Sequence, residues 1–427
     1  MSAFWSSFAT PIIIGYTVLK APRHPMNRIY PPMPDSAPLL AMRAIYASDL
    51  ELAAIEPLLE ANQDRHSRLA TIELINEEYS DLIEGPAQRP APIFLPAQLA
   101  SALPPGLSTE LFVPVLSPLQ AQDSDIQDVF QRLADAGYRL ALEVSDAHPP
   151  PPVSWLQQAH IIKLQYGAQG IQGAQKIAQV AEQYDLELAV DNVPGHEEFL
   201  ALQELGYCFF SGILLDKPDC ASGGQLSNNR MTLLQLLSAL RDDSTNASDI
   251  ETIVLNDPGL TFKILRMVNS AALSLSREVD SLAHAVNLLG VQQLQRWVSL
   301  FLLETAPGQP TELFRASLIR ARMCEILAEM ADRDQPLTYF LTGLLSNLDL
   351  IAEIPMDELV DQLPLNQEIR DALLDKSGPM GQVVGEVAHY EAGEFEQLTY
   401  LIPKAHYEPC YRHCNAWATQ IQRSLSH

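Results

Sequence analysis

The densest group of potential metal ligands lies near the C-terminus, at His406, Cys410, His413 and Cys414. Spacings of i, i+4, i+7 and i+8 put all four on one face of a helix, and imidazole and thiolate are ligands that zinc prefers. Tyr407, Tyr411 and Trp417 crowd the same stretch. Aromatic residues on a terminal helix ordinarily serve docking, so docking is expected to explain this face, with zinc as the alternative. The five cysteines (Cys208, Cys220, Cys324, Cys410, Cys414) fit no disulfide framework and are expected as reduced thiols. His284 and His389 stand alone on amphipathic patterns and read as structural or surface residues. No Ser–His–Asp arrangement, P-loop or glycine-rich dinucleotide turn is present, and Gly223-Gly224 is only a linker signal.

The elements that would carry such residues fall into two rhythms. Between residues 110 and 215, short apolar runs alternate with amphipathic helical patterns. The runs are Leu111–Leu116, Leu140–Val144, Ile161–Leu164, Leu186–Val190 and Cys208–Leu215. Continuous apolar strands belong to parallel sheets covered on both faces, and repeated strand–helix units predict right-handed crossovers and a (β/α) barrel. Pro11 to Leu19, rich in Ile, Val, Thr and Tyr, reads as a buried first strand. Ser124 can start a helix that Gly137 ends. Further helices are expected over Ile171–Asp185 and Glu197–Leu205, and Pro149 to Pro152 make a stiff loop. Ser, Gly and Asn cluster at residues 221–228, after which helical periodicity takes over. The expected organisation is a barrel over 1–220, a linker over 221–228 and an all-helical region over 229–427.

Composition limits the partners. With 47% apolar and 19% charged residues, the 427-residue chain is that of a folded protein. A net charge of -26 argues against nucleic acid, whose phosphates need clustered Lys and Arg, and against an anionic membrane surface. Neither a basic leading segment nor an uninterrupted apolar span opens the sequence, so a cytoplasmic location is expected.

The helical region has its own punctuation. Asn256 or Asp257 can cap a helix with Pro258 in its first turn, and Leu260, Ile264, Met267 and Val268 share a buried face. Ser281 can cap the next helix and Gly290 can end it. The identities at Asp257-Pro258, at Arg266 with Val268-Asn269-Ser270-Ala271, and at Leu288-Leu289-Gly290 resemble the HDOD module, a helical output domain related to the HD metallohydrolases. The dense resemblance covers 229–350. A His-Asp metal pair of such an enzyme would correspond to Ser346-Asn347, neither of which is a strong transition-metal ligand.

The first half resembles an EAL-type cyclic-di-GMP phosphodiesterase barrel, through Gly15-Tyr16, Gly137-Tyr138-Arg139-Leu140-Ala141-Leu142, Ile162-Lys163, Gly206-Tyr207, Gly212 and Lys217-Pro218. That reaction uses water activated by two divalent cations on oxygen ligands, with a Lys nearby. The resemblance places the naming glutamate at Thr17, an Asn near Phe94 or Leu95 and a Glu near Pro114. It sets the paired aspartates at Glu143 and Val144, a further carboxylate at Gln165, a Glu at Asp191 and a Gln at Ser211. Only Glu143, Lys163 and Asp191 survive as remnants, which implies no metal site, no catalytic residue and no tight cyclic-di-GMP binding. The expectation is a bacterial signalling adaptor without catalysis, acting on unnamed protein partners and possible as a homodimer. A cyclic-di-GMP sensor and a weak residual phosphodiesterase are the alternatives.

Overall fold

The computed structural model describes residues 39–60, 65–79, 91–117, 124–145, 151–212, 311–363 and 365–425, together with Leu233, Leu236 and Val298. Its N-terminal part is a closed eight-stranded barrel with strands in chain order. They are β1 (Leu40–Tyr46), β2 (Leu52–Leu59), β3 (Ile93–Leu95), β4 (Phe112–Leu116), β5 (Ala141–Ser145), β6 (Ile161–Gln165), β7 (Glu187–Val193) and β8 (Tyr207–Gly212). Strands β2 to β8 run parallel, whereas β1 is antiparallel to both its neighbours. The reversal follows from the β1–β2 connection, which is too short for a parallel crossover. There the Asp49 carboxylate accepts from Glu51 N–H at 3.1 Å and Leu50 takes φ 62°, an Asx-stabilised tight turn.

The sheet confirms the barrel expected from the strand–helix rhythm, and its described strands begin at Leu40. Residues 11–19 and Thr17 lie outside the described residues, and the eight strands that close the barrel fall within Leu40–Gly212. The crossovers include α1 (Arg65–Leu74), α2 (Ala97–Ala100), α3 (Ser124–Asp135), α4 (Val153–Leu156), α5 (Gly170–Tyr184) and α6 (His196–Glu204). Helix α3 is followed by Gly137 at φ +82°, and its Phe130 stacks on Trp155 of α4 with ring centroids 4.6 Å apart.

The C-terminal part is helical: α7 (Thr311–Met330), α8 (Pro336–Leu345), α9 (Leu348–Ala352), α10 (Met356–Gln362), α11 (Gln367–Leu374), α12 (Gly378–Glu391) and α13 (Tyr407–Leu425). By compactness the chain forms two units. One contains Cys324–Val384 with 1–32 and 221–306; the other contains 33–220 with Pro307–Met323 and Gly385–His427. The linker expected at 221–228 is outside the described residues. Within the first unit, Pro336 opens α8, and the Asn366 side chain caps α11 by accepting from Ile369 N–H at 3.0 Å. Among the described residues no helix is long and apolar enough to cross a membrane.

Within the second unit the C-terminal segment packs on the barrel. Tyr79 donates to Glu408 at 3.1 Å, Arg412 bridges Glu408 and Glu78, and Lys404 pairs with Glu60 at 2.6 Å. The segment's own shape depends on Glu386. Its buried carboxylate accepts from the Thr399 N–H and hydroxyl, from Tyr400 and Leu401 N–H, and from the Tyr407 hydroxyl at 2.6 Å. Replacing it strands several donors at once, so Glu386→Ala is expected to lower stability by about 3 kcal/mol in urea unfolding at neutral pH. Glu386→Gln, which retains an acceptor, should recover part of that loss.

Candidate functional site: an ion cluster inside the barrel

Side chains alternate between the two sides of a strand, so each barrel strand alternates inward and outward positions. The inward apolar layer consists of Ile45, Ala54, Phe94, Val113, Val115, Ala141, Ile161 and Ala189, with Phe209 packed against it. Two residues further along the parallel strands come Glu56, Glu143, Lys163, Asp191 and Ser211, and on the reversed β1 comes Arg43. One polar layer therefore sits on one apolar layer. On β4 the inward residues are Val113 and Val115, so Pro114 is not the position that faces the interior, and no carboxylate comes from that strand.

The polar layer is a closed ion cluster. Lys163, Asp191 and Glu56 are 1%, 1% and 5% exposed. Lys163 Nζ lies 2.6 Å from Glu56 Oε1 and 2.6 Å from Asp191 Oδ2. The Arg43 guanidinium contacts Glu56 Oε2 and lies 3.2 Å from Asp191 Oδ2. Ser211 donates to Asp191 Oδ1 at 2.6 Å, and Gln165 donates to Asp191 Oδ2 at 3.1 Å and to Glu143 Oε2 at 3.3 Å. Asn192 in turn holds Gln165 by donating to its Oε1 at 2.9 Å.

The charges follow from this geometry. Burial alone would push the Lys163 ammonium down, but Glu56 and Asp191 outweigh it and raise its pKa above 10.5. Burial alone would raise Asp191, yet Lys163 and Arg43 hold it below 3.8. Burial likewise works against the Arg43 charge, and Glu56 and Asp191 overcome it. Lys163, Arg43 and Asp191 keep their charges across the neutral range because each has an opposite charge at contact.

Of the expected remnants, the structure brings Lys163 and Asp191 together and places Glu143 beside them through Gln165. It adds two residues that the sequence reading missed, Arg43 and Glu56. A signal for Glu56 was present: Glu56-Pro57-Leu58 matches the family's naming tripeptide, Glu-Ala-Leu, at two of three places. The paired-metal chemistry of such barrels needs free hard oxygens. Both oxygens of Glu56 and both of Asp191 are engaged here, chiefly by cations, and a divalent ion at those oxygens would face Lys163 and Arg43. The residues present do not fit a metal pair.

The other candidates lie elsewhere. His406 is buried in a short turn, Lys404–His406, ahead of α13, whereas Cys410, His413 and Cys414 are on α13 itself. Burial pushes the Cys410 thiol up to about 12, with Glu408 adding to it, and burial pulls His413 down to about 4, helped by Arg322. Burial thus keeps the Cys410 thiol protonated at neutral pH, and among the described residues no three His, Cys, Asp or Glu side chains are arranged to hold a metal ion. Tyr407 and Tyr411 of the same helix pack against Tyr390, ring centroids 5.7 and 5.2 Å apart. His389 Nδ1 lies 2.7 Å from Glu394 at the surface. Ser346 and Asn347 occupy the turn between α8 and α9.

Residues 228–373 match the family model of the HDOD domain. The chain thus joins a closed eight-stranded barrel to a region that matches the HDOD domain. Asp257, Pro258, Arg266, Asn269, Ser270 and Gly290 fall inside the matched range, and they and His284 lie outside the described residues. The chain is 28% identical over 338 residues to the cyclic di-GMP phosphodiesterase CdgJ of Vibrio cholerae, covering 77% of this chain and 77% of that protein. It is 26% identical over 302 residues to the uncharacterized protein YuxH of Bacillus subtilis, covering 68% of this chain and 74% of that protein. Among solved structures, Bacillus subtilis YkuI, described as having an EAL domain in complex with c-di-GMP and calcium, is 14% identical with a TM-score of 0.33, over 52% of this chain and 72% of that one. A score that low adds nothing to the topology described above.

Removing one member of the cluster leaves buried charge uncompensated. Lys163→Met is expected to destabilise the barrel by about 3–5 kcal/mol in urea unfolding at pH 7. The pH dependence has two limbs. Asp191, lowered in the fold, contributes stability above 3.8 that is lost as pH falls through its folded value. Lys163, raised in the fold, contributes stability below 10.5 that is lost as pH rises through its folded value. Thermal melts of Lys163→Met should lack the alkaline loss that Lys163 causes in the unaltered protein.

Proposed function

We propose that this chain is a non-catalytic signalling protein of a cyclic-di-GMP-related system, acting through protein partners. The observation that carries this reading is the ion cluster. Lys163 and Arg43 occupy the oxygens of Glu56 and Asp191 that metal-dependent hydrolysis would need. The positions that the resemblance assigns to further ligands hold Val144, Gln165 and Ser211, and β3 and β4 offer Phe94, Val113 and Val115 to the interior. The HDOD match supports an output role, because a helical module of that kind is known by resemblance as a signalling part rather than a metal hydrolase.

A second reading, nucleotide binding without cleavage, is favoured by the relationship to CdgJ, which is described as a phosphodiesterase of cyclic di-GMP. One pair of measurements separates the readings. The full chain, incubated with cyclic-di-GMP and either Mg²⁺ or Mn²⁺, is expected to give no linear dinucleotide. Turnover that disappears in Asp191→Asn would overturn the non-catalytic reading. Calorimetry is expected to find no saturable binding of cyclic-di-GMP, and a micromolar site would replace the adaptor with a sensor.

A further inference from the structure

Closure of the barrel is uneven at β1. Its register with β2 runs from Leu40↔Leu59 to Tyr46↔Leu52. Among the described residues its register with β8 consists of Tyr46↔Phe210. Within those residues the early part of β1 has no partner on β8, and polar backbone groups on a buried edge need partners.

Two tyrosine hydroxyls supply them. Tyr390 of α12 donates to the Leu40 carbonyl at 2.9 Å. Tyr411 of α13 accepts from Met42 N–H at 3.2 Å, and its oxygen also lies 3.4 Å from the Met42 carbonyl. A phenol can accept and donate at once, so a single hydroxyl can satisfy both groups of one residue. Both tyrosines are buried, and both belong to the same compact unit as the barrel. Met42 is followed directly by Arg43, whose side chain turns to the interior and reaches Glu56 and Asp191.

We propose that Tyr411, supported by Tyr390, is a positioning residue for Arg43. By clamping the open edge of β1, the two hydroxyls fix the backbone from which the guanidinium enters the ion cluster. The C-terminal segment is then a lever on the barrel's centre: a partner that pulled α13 away would loosen Arg43 and release one of the two cations that hold Glu56 and Asp191. Lys163 would remain as the other cation, with Glu143 as the nearby third acid and Ser211 and Gln165 as neutral donors. The holding of Arg43 stands whether or not the barrel turns over a substrate, and only its signalling consequence rests on the proposed function.

Arg43 carries its own reporter. Its Nε–H is buried without a hydrogen-bond acceptor in the protein, so its exchange with water measures opening of the cluster. The experiment is nitrogen-edited NMR exchange on the full chain, comparing the unaltered protein with Tyr411→Phe, which keeps the ring packing and removes the hydroxyl alone. The expected result is exchange about tenfold faster at both Met42 N–H and Arg43 Nε–H, the size that loss of about 1.4 kcal/mol of hydrogen bonding gives. Lys404→Gln, which unties the same segment from Glu60, a side chain that meets Leu39 N–H ahead of β1 and not Met42, should leave both rates unchanged. Faster exchange at Met42 with Arg43 unaltered would overturn the proposal, since the tyrosine would then hold the strand only. No change at Met42, or an equal change in Lys404→Gln, would overturn it as well.

Discussion

Carboxylates taken out of water need cations or donors at contact, and Glu56 and Asp191 are two such buried side chains that share theirs. Their solvation by water is gone, so the structure supplies Lys163 from β6 and Arg43 from β1 in its place. The remaining polar groups of the layer serve the same end. Ser211 takes the outer oxygen of Asp191, and Gln165 spans Asp191 and Glu143. With these acids held by ion pairs and neutral donors, the barrel keeps a polar centre above an apolar floor. The same contacts leave little for a metal ion to bind.

This constraint also gives β1 its importance. A strand running against the other seven comes from a tight turn at Ala47–Glu51, and the reversal brings Arg43 level with Glu56 in the register. A reversed strand with one pairing to β8 among the described residues needs its edge covered, and hydroxyls from α12 and α13 do so. Glu386, gathering donors from residues 399–407, shapes the segment that delivers those helices. The C-terminal aromatics thus work as packing and edge cover. That fits the high pKa of the Cys410 thiol, which burial keeps protonated.

The barrel was legible in the sequence where its strands are plain apolar runs, as in β4 to β8. Helix α3 was legible through Ser124 and Gly137, and the helical character of the C-terminal part through its periodicity. The β1–β2 hairpin was not. Arg43, Glu56 and Pro57 interrupt its apolar pattern, because inward positions there carry charge rather than Val or Ile, and a proline within a run argues against a strand. The pattern at Pro11–Leu19 looked more strand-like and drew the naming glutamate to Thr17. Lys163 and Asp191 could be found from strand ends, and a lysine there reads as one reaching a carboxylate, as it does, but the acids it meets could not be named. Whether a buried acid holds a metal or a cation depends on partners from strands distant in sequence, here β1 and β2.

Internal cations hold the acids of the barrel. Titrating the full chain at neutral pH with Mn²⁺, and following the free ion by electron paramagnetic resonance, tests this arrangement most directly. If Lys163 and Arg43 occupy Glu56 and Asp191, the free signal should rise in proportion to added Mn²⁺, with no stoichiometric site. A saturable site of one or two ions per chain, lost in Asp191→Asn, would contradict it.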